Sequence, residues 1–210
     1  MFITFEGGEG TGKTSIINLI YQDLIKLGYK VYKTREPGGS KIAEQIRDVI
    51  LDVKNTELDY KAEALLYAAS RRQHLMEVVK PKLDDGYVVL CDRYVDSSLA
   101  YQGYARGLGI KEVLEINRYA IDDYFPNLTI FIDLDPKVGI ERIQSNRSSD
   151  LNRLDLERMA FHNKVYEGYH ELVKMYPERI KVVNGHQTLE EVYKSCYKLV
   201  LETLNKGKDK

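Results

Sequence analysis

Eight consecutive residues, Gly7-Gly8-Glu9-Gly10-Thr11-Gly12-Lys13-Thr14, fit the spacing G-x-x-x-x-G-K-[ST] in full. Glycines let a backbone curl around a phosphate and turn successive N–H groups inward. A helix starting at the end of such a loop adds its positive end to the same anion. The cradle so defined comprises Gly7, Gly8, Glu9, Gly10, Thr11, Gly12, Lys13, Thr14 and Ser15. Lys13 supplies a mobile point charge for the β- and γ-phosphates of ATP, and the Thr14 hydroxyl is a ligand for Mg2+. The motif speaks for nucleotide binding and leaves the reaction open.

A second metal-holding carboxylate belongs at the end of an apolar strand. Asp92 and Asp133 both qualify. Asp92 is preferred because Arg93 follows it, which sets an anion clamp beside a metal ligand. Arginines recur at strand ends and helix starts: Arg35, Arg47, Arg71, Arg72, Arg93 and Arg106. Guanidinium forks hold phosphate oxygens through two parallel hydrogen bonds. For any one of them, ordinary surface charge is the competing reading; Arg93 stands apart by position. Arg71 follows Tyr67 by four residues, so one helix face offers a ring to stack a base and a fork to read its edge.

The elements that must carry these residues alternate along the chain. Strands are expected at Phe2–Glu6, Lys30–Thr34, Tyr87–Cys91, Leu128–Asp133 and Ile180–Val183. Between them, apolar residues recur at helical spacing. They run from Ile16 to Leu27, from Ile42 to Ile50, from Ala62 to Val79 with Pro81 as the stop, over Lys111–Tyr124, and over Leu189–Leu204. A polar stretch around Ser145–Asn152 separates two further helical segments, and the tail Asn205–Lys210 reads as frayed. Such alternation implies an α/β fold with a parallel sheet covered on both faces, in one domain of 210 residues. Val88-Val89-Leu90-Cys91 is apolar throughout, which marks the third strand as the central one. Ligands of such sheets gather beyond the carboxyl ends of the strands, where the motif residues lie.

The remaining composition excludes several classes. A net charge of −1 provides no global field for nucleic acid or anionic membrane. Cys91 and Cys196 have neither CxxC nor His spacing, so a zinc site and a disulfide framework are both disfavoured. The start Met1-Phe2-Ile3-Thr4-Phe5 lacks a signal-peptide pattern, and a reduced, cytoplasmic protein is expected. The four histidines show no metal-ligand spacing, and His74 reads as a helix-surface residue. Tyrosines other than Tyr67 and Tyr101 are assigned to packing. The guanine-reading N-K-x-D of a GTPase switch is missing, because Asn163-Lys164 is followed by Val165-Tyr166.

Thr34-Arg35-Glu36-Pro37-Gly38-Gly39, Ala68-Ala69-Ser70-Arg71-Arg72 and the run from Asp92 to Gly103 resemble the bacterial thymidylate kinases over nearly the whole chain. The resemblance implies the P-loop nucleoside-monophosphate-kinase fold. That fold has a five-stranded parallel sheet flanked by helices, with a short mobile LID at about 145–153. It also implies transfer of a phosphoryl group from ATP, with Mg2+, to thymidine monophosphate (dTMP), and a homodimer.

By the same resemblance, Arg93 grips the acceptor phosphate with help from Arg47, and Glu36 supports the acceptor site. Tyr67 stacks on thymine, Arg71 donates to a thymine carbonyl, and Ser98 and Gln102 read the rest of the base edge. Tyr101 crowds the sugar 2′ position, and Glu9 lies near the 3′-hydroxyl and acceptor phosphate. Gly10 stands where one subgroup of the family carries an arginine, which points to the subgroup with LID arginines, here Arg147 and Arg153. Arg142 belongs to the preceding helix. The catalytic set implied is Lys13, Arg93, Glu9, Arg147 and Arg153, with no general base, because the attacking phosphate oxygen is already ionised. A P-loop kinase for another monophosphate or a deoxynucleoside is the nearest alternative.

Overall fold

The structure, a computed structural model, describes residues 1–122, 124–146, 153–154 and 157–206, with side chains of 144–146 left aside. Arg147 and most of the LID expected at 145–153 lie outside the described residues. The described chain runs β1 (Phe2–Glu6), α1 (Lys13–Lys26), β2 (Val31–Arg35), α2 (Lys41–Leu51), α3 (Tyr60–His74), α4 (Lys80–Asp84), β3 (Val88–Asp92) and α5 (Val95–Ser98). It continues with α6 (Ile110–Ile121), β4 (Leu128–Asp133), α7 (Pro136–Asn146), α8 (Met159–Met175), β5 (Ile180–Asn184) and α9 (Leu189–Lys206).

The five strands form a parallel sheet in the order β2-β3-β1-β4-β5. The middle strand is therefore β1, not β3 as its apolar run suggests. Helices cover both faces of β3, so an apolar run marks an inner strand without marking the centre. In β1 the signal is diluted by Thr4 and Glu6, which are polar yet fully buried. Both are satisfied internally: Thr4 Oγ1 lies 2.8 Å from Thr129 Oγ1, and Glu6 accepts from the Tyr94 N–H at 2.7 Å.

Strand pleating sorts side chains into two cores. Ile3, Phe5, Leu90, Ile130 and Ile132 pack beneath α1 and α9 with Ile16, Ile20, Cys196 and Val200. Phe2, Val89, Cys91 and Phe131 face the other layer, where Tyr94, Val113, Val165 and Leu172 close over them. Because these strands run parallel, the residues after β1, β2 and β3 come to a single edge of the sheet.

Two helices depart from their sequence reading. Pro81 does not stop the third helix. A wider turn over Leu75–Val79, in which the Lys80 N–H reaches the Leu75 carbonyl, leads into α4, and Pro81 falls in its first turn. Proline has no N–H to donate, and a first-turn position does not need one. In α6 the helix stops at Ile121 rather than Tyr124, because Asp122 turns left-handed with φ 49°. The helical run Val95–Ser98, continued by a wide turn over Leu99–Ala105, has no counterpart among the expected elements. At the other end of the chain, α9 extends to Lys206, and 207–210 lie outside the described residues. No described helix is long and apolar enough to cross a membrane.

One buried ion pair locks α5 to the sheet. Asp96, fully buried, accepts from Arg179 Nη1 at 2.5 Å and Nη2 at 2.7 Å, and from Thr129 Oγ1 at 3.0 Å. Removing one partner of such a pair leaves a bare buried charge. Arg179→Met should therefore destabilise the fold by about 3 kcal/mol, read as a lowered denaturant midpoint at unchanged slope.

Candidate active site

The cradle begins where β1 ends. Gly7, Gly10 and Gly12 adopt positive φ values of 145°, 69° and 84°, and Gly12 leads into α1. At Gly10 the loop lies against α7. A Cβ there would meet the Gly139 carbonyl oxygen at 2.0 Å, and a Cβ on Gly139 would meet that of Glu9 at 2.1 Å. Lys13 folds back over the loop. Its Nζ donates to the carbonyls of Gly7 at 3.1 Å and Gly8 at 2.9 Å, and to Thr11 Oγ1 at 3.1 Å. Burial and the nearby Arg93 push its pKa down to about 8 against the pull of Asp92, Glu9 and Glu6. An arriving polyphosphate would supply the negative charge that this ammonium lacks.

Thr14 Oγ1 donates to Asp92 Oδ2 at 2.7 Å. Asp92 is thus the carboxylate at the cradle. Asp133, the rival, sits at the end of β4, with its Oδ1 3.3 Å from His170 Nε2.

Arg93 joins the cradle to the second half of the site. It directly follows β3 and has φ 68°, in the left-handed region that side chains avoid. Its Nη1 donates to the Gly7 carbonyl at 3.0 Å, Ser97 Oγ at 3.2 Å and Tyr169 Oη at 3.3 Å. Its Nη2 pairs with Glu9 Oε1 at 2.7 Å. Ser97 and Tyr169 both donate in turn to Glu6 Oε2, at 2.6 and 2.8 Å. Burial alone would raise the Glu9 carboxyl, but Arg93, Lys13 and the Tyr101 hydroxyl together hold it below its ordinary value. For Glu6 the balance goes the other way. Burial and the Asp96 charge lift it from 4.5 to about 7, against Arg93, Ser97 and Tyr169.

Beyond Arg93 lies a second, aromatic-lined wall. Arg71 is almost fully buried and donates from Nε to Glu36 at 2.7 Å, from Nη2 to the Tyr94 carbonyl at 2.9 Å, and from Nη1 to Ser98 Oγ at 3.0 Å and to Asn117. These bonds leave one N–H for a ligand. His74 belongs to the same wall, not to the helix surface. It is fully buried, with Nδ1 2.9 Å from Glu36 and Nε2 2.7 Å from Thr34 Oγ1. It lies one helical turn from the ion-paired Arg71, and the Glu36 carboxylate bridges the two. Tyr67 is buried on the same helix face, and Tyr101 donates to Glu9 Oε1 at 3.0 Å. Arg47 reaches the Pro37 carbonyl from α2 at 2.8 Å.

Both halves open into one cavity of about 780 Å³. Its lining includes the cradle from Glu9 to Ser15, and also Glu36, Arg47, Tyr67, Arg71, Asp92 and Arg93. Ser98, Tyr101, Gln102 and Arg142 complete the sequence-predicted residues on its walls. Arg153 is not on the wall. It is buried behind it, with Nε on the Ile50 carbonyl at 3.0 Å and Nη2 on Glu63. Arg147 lies outside the described residues.

The thymidylate kinase family model matches residues 5–196. A thymidylate kinase of Oceanobacillus iheyensis is 56% identical over 205 residues, covering 98% of this chain and 91% of its own. One from Clostridium novyi is 55% identical, covering 91% and 94%. The crystal structure of thymidylate kinase from Ehrlichia chaffeensis superposes with a TM-score of 0.77 at 31% identity, over 96% of this chain and 98% of that one. The chain belongs to the thymidylate kinase family.

For this thymidylate kinase family member, sequence reasoning missed three groups in the Arg93 network: Glu6, Ser97 and Tyr169. A charged residue ending a strand that is apolar apart from Thr4 was the available signal for Glu6. Ser97 and Tyr169 carried none, since their roles depend on contacts across 91 and 163 residues. Because Glu6 binds its proton more tightly in the folded chain, it contributes stability that is lost as pH rises from 4.5 to about 7. Glu6→Gln should flatten that decline relative to the parent, as read from denaturant midpoints across the window.

Proposed function

We propose that the chain transfers the γ-phosphoryl group of ATP to dTMP, giving ADP and the diphosphate, with Mg2+ as cofactor. The observation that carries this reading is the single cavity in which a phosphate cradle and a base-sized aromatic wall meet at Arg93. Phosphoryl transfer asks a protein chiefly to hold two anions in line and to stabilise spread charge. Lys13 and the loop N–H groups take the donor phosphates. Arg93, with Arg47 close by, takes the acceptor phosphate, and Glu9 lies between them. Tyr67 stacks on the base, Arg71, Ser98 and Gln102 read its edge, and Tyr101 restricts the sugar.

The Thr14 hydroxyl and Asp92 carboxylate, 2.7 Å apart at the cavity, form a hard oxygen pair suited to Mg2+. When bound, the ion would neutralise charge on the donor phosphates. Arg142 lines the cavity from α7, and Arg147 and Arg153 belong to the segment assigned as the LID. LID closure would exclude water from the phosphoryl group.

The chain works as a cytoplasmic homodimer with no nucleic-acid or membrane partner. The net charge of −1 supports the last point. Exposed Ile42 and Val49 on α2, with Leu65 on α3 and Met76 just beyond it, support a covered helix face.

A coupled assay of ADP release with Mg-ATP and a panel of deoxy- and ribonucleoside monophosphates tests the acceptor. A strong preference for dTMP is expected. Turnover with a different monophosphate would keep the kinase and discard the base-reading residues. In the same assay Arg93→Met should lower kcat/KM by about 10³, with little change in the concentration of ATP needed for half-saturation.

A further inference from the structure

Glu63 lies in α3, one turn before Tyr67, and is fully buried. Nothing in the phosphoryl-transfer scheme uses it. Its Oε1 accepts from Gln102 Nε2 at 2.9 Å and from Arg106 Nε at 3.4 Å. Its Oε2 accepts from Arg153 Nη2, and from Arg106 Nη2 at 3.5 Å. Arg106 is fixed independently by Glu157 at 2.6 Å and by the rings of Tyr60 and Phe161. Arg153 is also tied to α2, its backbone N–H donating to the Leu51 carbonyl at 3.2 Å. One carboxylate therefore joins a base-pocket residue to Arg153, the last residue of the assigned LID.

The chemistry of the pair gives this junction a consequence. An ionised carboxylate only accepts hydrogen bonds, so the Gln102 amide must turn its nitrogen toward Glu63. Its carbonyl oxygen is then left for a donor in the cavity that Gln102 lines. Thymine presents a donor at its N3–H, and cytosine presents an acceptor at the same position. We propose that Glu63 is a positioning residue that orients Gln102 for a base with an N3 donor and couples that orientation to Arg153. The acceptor base and the LID end then settle as one unit. The proposal rests on the reading of Gln102 as a base reader.

The test compares dTMP and dCMP as acceptors, with Mg-ATP saturating, for the parent chain, Glu63→Gln and Arg153→Met. A group with a merely structural role lowers kcat/KM for both acceptors alike and leaves their ratio unchanged. Coupling predicts that the dTMP-to-dCMP ratio falls roughly tenfold in both variants, the worth of one well-made hydrogen bond, while KM for ATP stays at the parent value. An unchanged ratio in either folded variant overturns the proposal. Glu63→Gln leaves the buried Arg153 guanidinium without its carboxylate and Arg106 with Glu157 alone; if it does not fold, Arg153→Met decides alone on the same two outcomes. No preference for dTMP in the parent would instead overturn the assignment of Gln102, and this proposal with it.

Discussion

Arg93 is a half-buried cation in a backbone conformation that side chains disfavour, and much of the site is arranged to keep it there. The Gly7 carbonyl and the Glu9 carboxylate hold the guanidinium from the cradle side. Ser97 and Tyr169 hold it from the helical side and hand their own protons to Glu6. Backbone pairing adds the last constraint, since the Arg93 N–H donates to the Phe5 carbonyl of the central strand at 3.0 Å. The strained turn thus persists because β1 fixes the backbone N–H of this residue while α5 and α8 both hold its Nη1.

A cleft built to receive two anions must stay folded before they arrive. The chain meets that demand by giving each cation an internal partner. Lys13 spends its donors on loop carbonyls, Arg93 on Glu9, and Arg71 on Glu36 and its neighbours. The partners of Lys13 are neutral oxygens, weaker acceptors than a phosphate dianion would be, so substrate oxygens can compete for that ammonium. The groups are aimed beforehand, which is what electrostatic stabilisation of a phosphoryl in flight requires.

Local pattern carried the cradle, the five strands and the Tyr67–Arg71 pair, because each depends on spacing within one turn or one strand. Asp92 needed one neighbour, Arg93, to be preferred over Asp133, and in the fold it accepts from the Thr14 hydroxyl. What local pattern could not carry was depth and distance. His74 looks like an exposed polar residue until Glu36, 38 positions away, is seen to face it. Arg153 looks like a free LID cation until Glu63 takes it inward. Pro81 reads as a stop because the widened turn that admits it is set by packing over Leu75 and Val79, both fully buried.

The facing glycines of the cradle and α7 bear on which substitutions the loop can accept. Two backbones that approach as closely as Gly10 and Gly139 leave no room for a side chain on either one. An arginine at position 10 is therefore closed to this chain by any single codon change. It would first need α7 to move away from the loop. Loop and helix are thus bound to one another, and position 10 can gain a side chain only after α7 has given way.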